Sequence, residues 1–280
     1  MKQNNIKNRN KVFESLLATT NIAKIETISS ILKINKSFEN KLENSMKIKE
    51  ILVFLENKHK LKSIFSESKN KQKNPKKLWV YITEKNEEKN SEYLAINQLL
   101  KDKIKRDDLF ISIGEYANDF AKQNNITPLI SYDSSHTEST PEIENIITNL
   151  YFSFRVNEVV FVLNTNRIDD YQLTILPFTK MNFKTVSEYN QQNLQKKLFL
   201  PDIQTFFINS IKMYLNAIIP AILIESQFFQ LKQKLIKENK IIDDLEAKIK
   251  EIKRIEKEIK RQKLTEEMVL LSNNAGETHE

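Results

Sequence analysis

The sequence predicts an α/β protein in which a long N-terminal helix and a long C-terminal helix form an antiparallel coiled coil, with a small α/β domain inserted between them. Three observations carry this. Residues 203–275 keep a helical apolar pattern to within a few residues of the last position. The N-terminal stretch repeats apolar side chains at spacings of three and four, with no proline or glycine before Pro75. Between them, short apolar runs alternate with helical segments, the pattern of a partly parallel sheet. The corresponding boundaries are 1–66 for the first helix, 67–200 for the α/β domain with its flanking loops, and 201–280 for the second helix.

The C-terminal helix opens at Pro201 and Asp202, where proline suits a first turn whose N–H groups have no helical partner. From Leu235 onward two seven-residue series interleave, Leu235, Ile242, Ile249 and Leu245, Ile252, Ile259, with Lys and Glu between them. That is a coiled-coil seam. At 1.5 Å per residue the segment would reach roughly 110 Å, far beyond the ~30 Å of a small domain, so the expectation is a shaft that projects from a globular body. Such a seam needs a partner, because each exposed Ile or Leu forgoes about 1.5 to 3 kcal/mol of burial. The N-terminal helix supplies it, with Phe13, Leu17, Ile31, Phe38, Leu42 and Leu52 among its recurrent apolar positions. Pro220 lies inside the long helix and should bend or disturb it near Asn216, held by packing of Ile218, Ile219 and Ile222.

Between the helices, 67–77 is a polar, lysine-rich linker. Leu78 to Thr83 reads as a buried strand, Ser91 to Lys105 as a helix, Leu109 to Ile113 as a second strand and Glu115 to Asn125 as a helix. Pro128 to Ser131 is a short third strand. Thr140 caps a helix that has proline at its first position and runs through Leu150. Val159 to Leu163 and Gln172 to Leu176 complete the strands, and 180–197 is polar and irregular.

Composition narrows the chemistry. Only Gly114 and Gly276 are glycine, so no glycine-rich phosphate loop is available, and the α/β domain, although Rossmann-like in its order of elements, lacks the dinucleotide fingerprint. The absence of cysteine excludes disulfides and thiolate metal sites and fits a reducing cytoplasm. His59, His136 and His279 lack metal-ligand spacing. Asp133, Ser134, Ser135 and His136 include the residue types of a nucleophilic triad, but side by side in a turn, with no oxyanion hole nearby, they read as a solvated loop. No signal peptide is expected, since Met1 to Asn5 leads into no uninterrupted apolar region. The apolar region from Phe206 to Phe229 contains Lys212 and Glu225, and its charge-free core falls short of the ~20 residues of a membrane span. It reads as helix buried against its own domain. The abundance of Lys, Asn and Ile is that of an AT-rich genome, which discounts part of the net charge of +7. The basic run from Lys248 to Lys263 is interspersed with Glu246, Glu251, Glu256 and Glu258 and lacks aromatics for base stacking, so no nucleic acid is expected.

Several segments share a register with one family. Tyr214 to Ser226 (YLNAIIPAILIES) is similar to "YL…IY.ALLES", and Lys260 to Met268 (KRQKLTEEM) to "RQAAITQEI". The two align without a gap, with Asp243 falling on the aspartate of "TDN". Ile113 to Phe120 (IGEYANDF) is similar to "VGRKGRDFF", Glu158 to Val162 to "DEVYLVY", Leu176-Pro177 to "LLP", and Asn21 with Lys24-Ile25-Glu26 to "N..KIT". These motifs, in order along nearly the whole chain, resemble the gamma subunit, the central rotor shaft of F-type ATP synthases. The chain departs from that pattern at 82–91, where ITEKNEEKNS replaces the glycine-rich "ITSDKGLCGG", at Pro220, and at Ile241-Ile242 before "TDN". It reads as a divergent member.

The resemblance implies a non-catalytic subunit, without cofactor or metal, that couples ATP turnover in a surrounding ring of alpha- and beta-like subunits to rotation. An epsilon-like subunit and a membrane ring or other load are further candidate partners. The implied location is cytoplasmic, peripheral to the membrane as part of a complex. The implied partner-binding residues are Lys24, Lys260, Arg261 and Glu267 as polar catches, Ile25 and Thr265 completing the set, and Met268, Val269, Leu270 and Leu271 as an apolar bearing. Glu26 replaces the family threonine. The charged loop from Glu84 to Ser91 implies a changed foot, and with it a derived rotary ATPase whose load is not a proton ring, such as a motility machine. The alternative from another class is a structural coiled-coil protein that binds nucleic acid or a membrane surface.

Overall fold

The computed structural model describes residues 2–59, 76–83, 91–133, 140–168, 170–181 and 202–276, excepting the side chains of 2–5, 58–59, 91–92 and 270–276. The elements are α1 (Lys2–His59), β1 (Lys77–Ile82), α2 (Ser91–Lys103), β2 (Leu109–Ile113), α3 (Glu115–Gln123), β3 (Ile130–Tyr132), α4 (Thr140–Phe152), β4 (Glu158–Val162), β5 (Gln172–Leu176) and α5 (Ile203–Gly276). The chain divides into two compact units, 1–32 with 231–280, and 33–230. The expected linker at 67–75, most of the triad-like loop at 133–136 and nearly all of the charged loop at 84–91 lie outside the described residues.

In the unit formed by 33–230, five strands lie in the order β3-β2-β1-β4-β5. β1 to β4 are parallel, while β5 runs antiparallel to β4. The sheet is buried on both sides because its strands carry apolar residues at consecutive positions, which successive Cβ atoms send to opposite faces. On one face Leu78, Val80 and Ile82 of β1 join Val159 and Phe161 in a core completed by α4, the C-terminal half of α1 and the first third of α5. On the other, Trp79, Tyr81 and Phe110 pack under Ile96 and Leu100 of α2 and Phe120 of α3. Tyr81 meets the Phe120 ring edge-on, with centroids 5.7 Å apart.

Two polar devices tie the sheet to its helices. Ala117 N–H donates to Thr83 Oγ1 at 3.0 Å, so the residue after β1 caps the first turn of α3. Gly114, at φ +98°, lies so close to Thr83 that a Cβ would stand 2.6 Å from Thr83 Oγ1 and closer still to its carbonyl oxygen. The second device is buried. Glu225 of α5 accepts from Thr165 Oγ1 at 2.6 Å and faces Arg167 Nε at 3.3 Å, and the Arg167 guanidinium lies 4.6 Å from the Phe38 ring.

The helix α5 is assigned without a break through Pro220. The irregularity expected near Asn216 therefore does not interrupt it, whereas the expected packing is present: Ile218, Ile219 and Ile222 are fully buried in the sheet core. Each such side chain contributes about 1.5 to 3 kcal/mol, enough together to offset the roughly 3 kcal/mol that an internal proline costs. The same burial accounts for the membrane-like composition of α5. Its most apolar window would suit a bilayer by length and hydropathy, but 61% of it is buried within the protein.

Candidate functional site

The unit formed by 1–32 and 231–280 is a pair of antiparallel helices, and its order follows from the sequence. Along α5 the residues turned inward are Leu231, Leu235, Glu238, Ile242, Leu245 and Ile249, continuing through Ile252 and Ile259 at the alternating spacings of a heptad seam. Both predicted seven-residue series lie on this seam. The facing positions of α1 include Phe13, Leu17, Thr20, Lys24 and Thr27. Cross-helix contacts set direction and register: Thr27 meets Glu238, and Glu14 Oε1 lies 3.2 Å from Lys253 Nζ. As α1 is followed backwards, α5 is followed forwards, so the helices are antiparallel.

The seam is polar at its α5 start and at its α1 start. Glu238 is buried at a heptad position seven residues before Leu245, where Thr27 Oγ1 donates to its Oε1 at 3.1 Å. Lys234 Nζ lies 3.8 Å from the same oxygen. Asn10, also turned inward, donates to Glu14 Oε1 at 3.2 Å, which links it to Lys253. Lys248 lies 5.9 Å from the Phe13 ring, within cation–π range. Glu238 and Thr27 were absent from the residues singled out in the sequence, although the heptad count places Glu238 on the seam.

The predicted site residues fall into two groups. Ile25 is 66% exposed on the outer side of α1, whereas its neighbour Lys24 is half-buried beside the seam. Lys260, Arg261, Thr265, Glu267, Met268 and Val269 lie on α5 where every residue from 260 to 269 is exposed. Thr265 Oγ1 donates to the Arg261 carbonyl at 2.9 Å and so spends its hydroxyl on its own helix. Thr27 is level with Glu238, so Lys24 and Ile25 lie roughly 28 Å along the helix axis from Lys260, and the structure does not gather the described members of the set into one patch. The side chains of Leu270 and Leu271 lie outside the described residues. Among the described residues no cluster of His, Cys, Asp or Glu has the makings of a metal site.

The outer surface of the pair is patchy. Ile22, Ile25 and Leu32 of α1 are 59 to 68% exposed, and α5 exposes Ile241, Leu264, Met268 and Val269 as well as Lys250 and Lys257, while Arg254 pairs with Glu258 at 3.2 Å. Apolar and charged patches thus alternate along one rod.

No protein-family profile matches the chain. It is 29% identical over 260 residues to an uncharacterised protein of Ureaplasma parvum serovar 3, covering 87% of this chain and 84% of that protein. It is 27% identical over 177 residues to an ATP synthase gamma chain of Mycoplasma capricolum subsp. capricolum, covering 59% of this chain and 60% of that protein. Among solved structures, the rotor of the Euglena gracilis mitochondrial ATP synthase aligns with 84% of this chain and 99% of that one, at 10% identity and a TM-score of 0.39. With its gamma-like motifs in register and a sheet domain set between two long helices, the chain resembles the gamma subunit of F-type ATP synthases as a divergent relative.

Proposed function

We propose that this chain is the non-catalytic central shaft of an F-type or F-type-like rotary ATPase, turning within a ring of alpha- and beta-like subunits. The observation that carries the reading is the similarity to the Mycoplasma capricolum gamma chain, and the antiparallel helix pair is the architecture such a shaft needs. The patchy surface supplies a mechanism. A ring subunit that meets Ile22, Ile25 and Leu32 has apolar area to bury, whereas one that meets Lys250 and Lys257 has charges to pair. Each rotor angle therefore favours a different pattern of open and closed sites, a population shift produced by unequal contacts. In this reading Lys24, Lys260, Arg261 and Glu267 act as polar catches, Ile25 and Thr265 complete them, and Met268 to Leu271 form the bearing.

The load is a second part of the proposal. The charged sequence at 84–91 lacks the glycines that would permit a close backbone approach, and burying one of its charges unpaired would cost several kcal/mol. A hydrated or charged receiver fits it better than flush docking on an apolar membrane ring. The working place is then cytoplasmic, peripheral to a membrane, with an epsilon-like subunit as a further neighbour.

Co-expression with alpha- and beta-like subunits tests the function. The expected result is a stable complex whose ATP turnover depends on this chain, and which Lys260→Glu with Arg261→Glu uncouples without dissolving. Tight nucleotide binding by the isolated chain, or co-purification with nucleic acid in place of a ring, would overturn it.

A further inference from the structure

The sheet-bearing unit holds a cleft that the shaft reading does not use. It has a volume of about 620 Å³ and lies at the N-terminal edge of β1 and β2, where α2 and α3 end. This is the end of the sheet opposite to the crevice where open α/β sheets usually take ligands. Leu100 and Phe120 close it from below, and half-buried Ile104 and Ile126 form its walls. Lys101, Lys105 and Arg106 stand exposed around it.

The charge of this cleft is not accounted for by the fold. Lys101 is in the last turn of α2, where a cation complements the helix dipole, but Lys105 and Arg106 lie beyond the helix end. None of the three has an ion-pair partner among the described residues. Asp108, the acid that lines the cleft, is already committed. Its Oδ1 accepts from Lys77 N–H, and its Oδ2 accepts from Trp79 Nε1–H and Lys105 N–H, all at 3.0 Å. The carboxylate thereby fixes the turn and the indole, and it leaves the cations to the solvent side.

We infer that this cleft docks an acidic peptide segment of a partner protein, anchored by one apolar side chain between Ile104 and Ile126. Both helices present their C-terminal ends here, so there is no N–H cradle for a compact phosphate, and the three cations must outweigh a partial negative charge that opposes any anion. A chain of carboxylates can instead spread over three separated cations while its apolar side chain covers the walls. The inference stands independently of the rotary reading, since it uses no residue of the helix pair.

The chain carries one tryptophan, Trp79, bonded to the cleft through Asp108, so its fluorescence reports the site. The full-length protein is titrated with an acetylated glutamate-rich pentapeptide that has a central phenylalanine. The expected result is a saturable change in Trp79 emission that weakens with added salt. It should weaken about ten-fold when the phenylalanine is replaced by alanine, and at least as much in the variant Lys101→Glu, Lys105→Glu, Arg106→Glu. These side chains are exposed, so the variant should keep the parent circular dichroism; should it misfold, Lys105→Ala with Arg106→Ala gives the same comparison. No saturable change, an unchanged affinity in the variants, or full competition by inorganic phosphate, an oligonucleotide or anionic vesicles would overturn the inference.

Discussion

Thr27 donates its hydroxyl hydrogen to Glu238 Oε1 across 3.1 Å, in a seam otherwise built mainly from Ile, Leu and Phe. A polar contact of this kind constrains register in one direction, because a heptad slide that way would set Glu238 against Ile34; the opposite slide brings Thr20, a second hydroxyl, to the acid. Thr27→Ala leaves the acid without its donor and should cost about 1 to 3 kcal/mol in denaturant unfolding. The double change Thr27→Val, Glu238→Leu should recover that loss while weakening the preference for one register, read as broadened cross-helix distances between spin labels.

Gly114 is the position where a methyl group has no place. Its φ of +98° and the nearness of the Thr83 carbonyl oxygen act together, and both belong to the joint that aligns β1, β2 and α3. Gly114→Ala should lower stability by about 2 kcal/mol or more, since the strained backbone alone costs about 1 to 3 kcal/mol. Gly276, at the end of α5, should accept alanine with little change in the same denaturation midpoint.

Arg167 and Glu225 form a pair in which the acid is 4% exposed and the cation 30%. Removing the cation takes away the charge that offsets the buried Glu225 carboxylate while Thr165 still donates to it, so Arg167→Ala should cost about 1 to 3 kcal/mol. Arg167→Met with Glu225→Leu should be milder than the single change. A double-mutant cycle by thermal unfolding measures the difference.

Asp202 accepts from Thr205 N–H at 2.9 Å and from Thr205 Oγ1 at 2.7 Å, capping α5. The backbone bond from Thr205, helped by its hydroxyl, holds the Asp202 carboxyl below its ordinary value of 3.8. A depressed folded pKa means that the cap contributes above the unfolded value and is lost as pH falls through the folded one. The first turn of α5 should therefore gain hydrogen-exchange rate below about pH 3.8, and Asp202→Asn should remove that pH dependence.

Pro220 breaks no helix, but it still lacks an N–H for the Asn216 carbonyl. Pro220→Ala restores that bond and should raise the unfolding midpoint, by up to about 3 kcal/mol in stability. A loss of stability in this variant would show that the pyrrolidine ring itself fills space in the core.

What could be read from the residues alone was whatever depends on periodicity. The series Leu235, Ile242, Ile249 and Leu245, Ile252, Ile259 declare a seam because a coiled coil repeats every seven residues, and the structure turns these positions inward. Residues 109–113 and 172–176 declare strands in the same way, from short apolar runs bounded by polar turns. The gamma-like register rested on motifs of modest strength, which gain force only from their order. Tertiary structure decided whatever depends on residues far apart in sequence. The heptad count puts Glu238 on the seam, but only Thr27, on the other helix, supplies the donor that lets it be buried there. Thr83 capped a helix that begins 32 residues later, and Asp108 gathered donors from Lys77 and Trp79. A polar side chain has no preferred face until its partner is in place. An apolar one is directed inward by water from the outset.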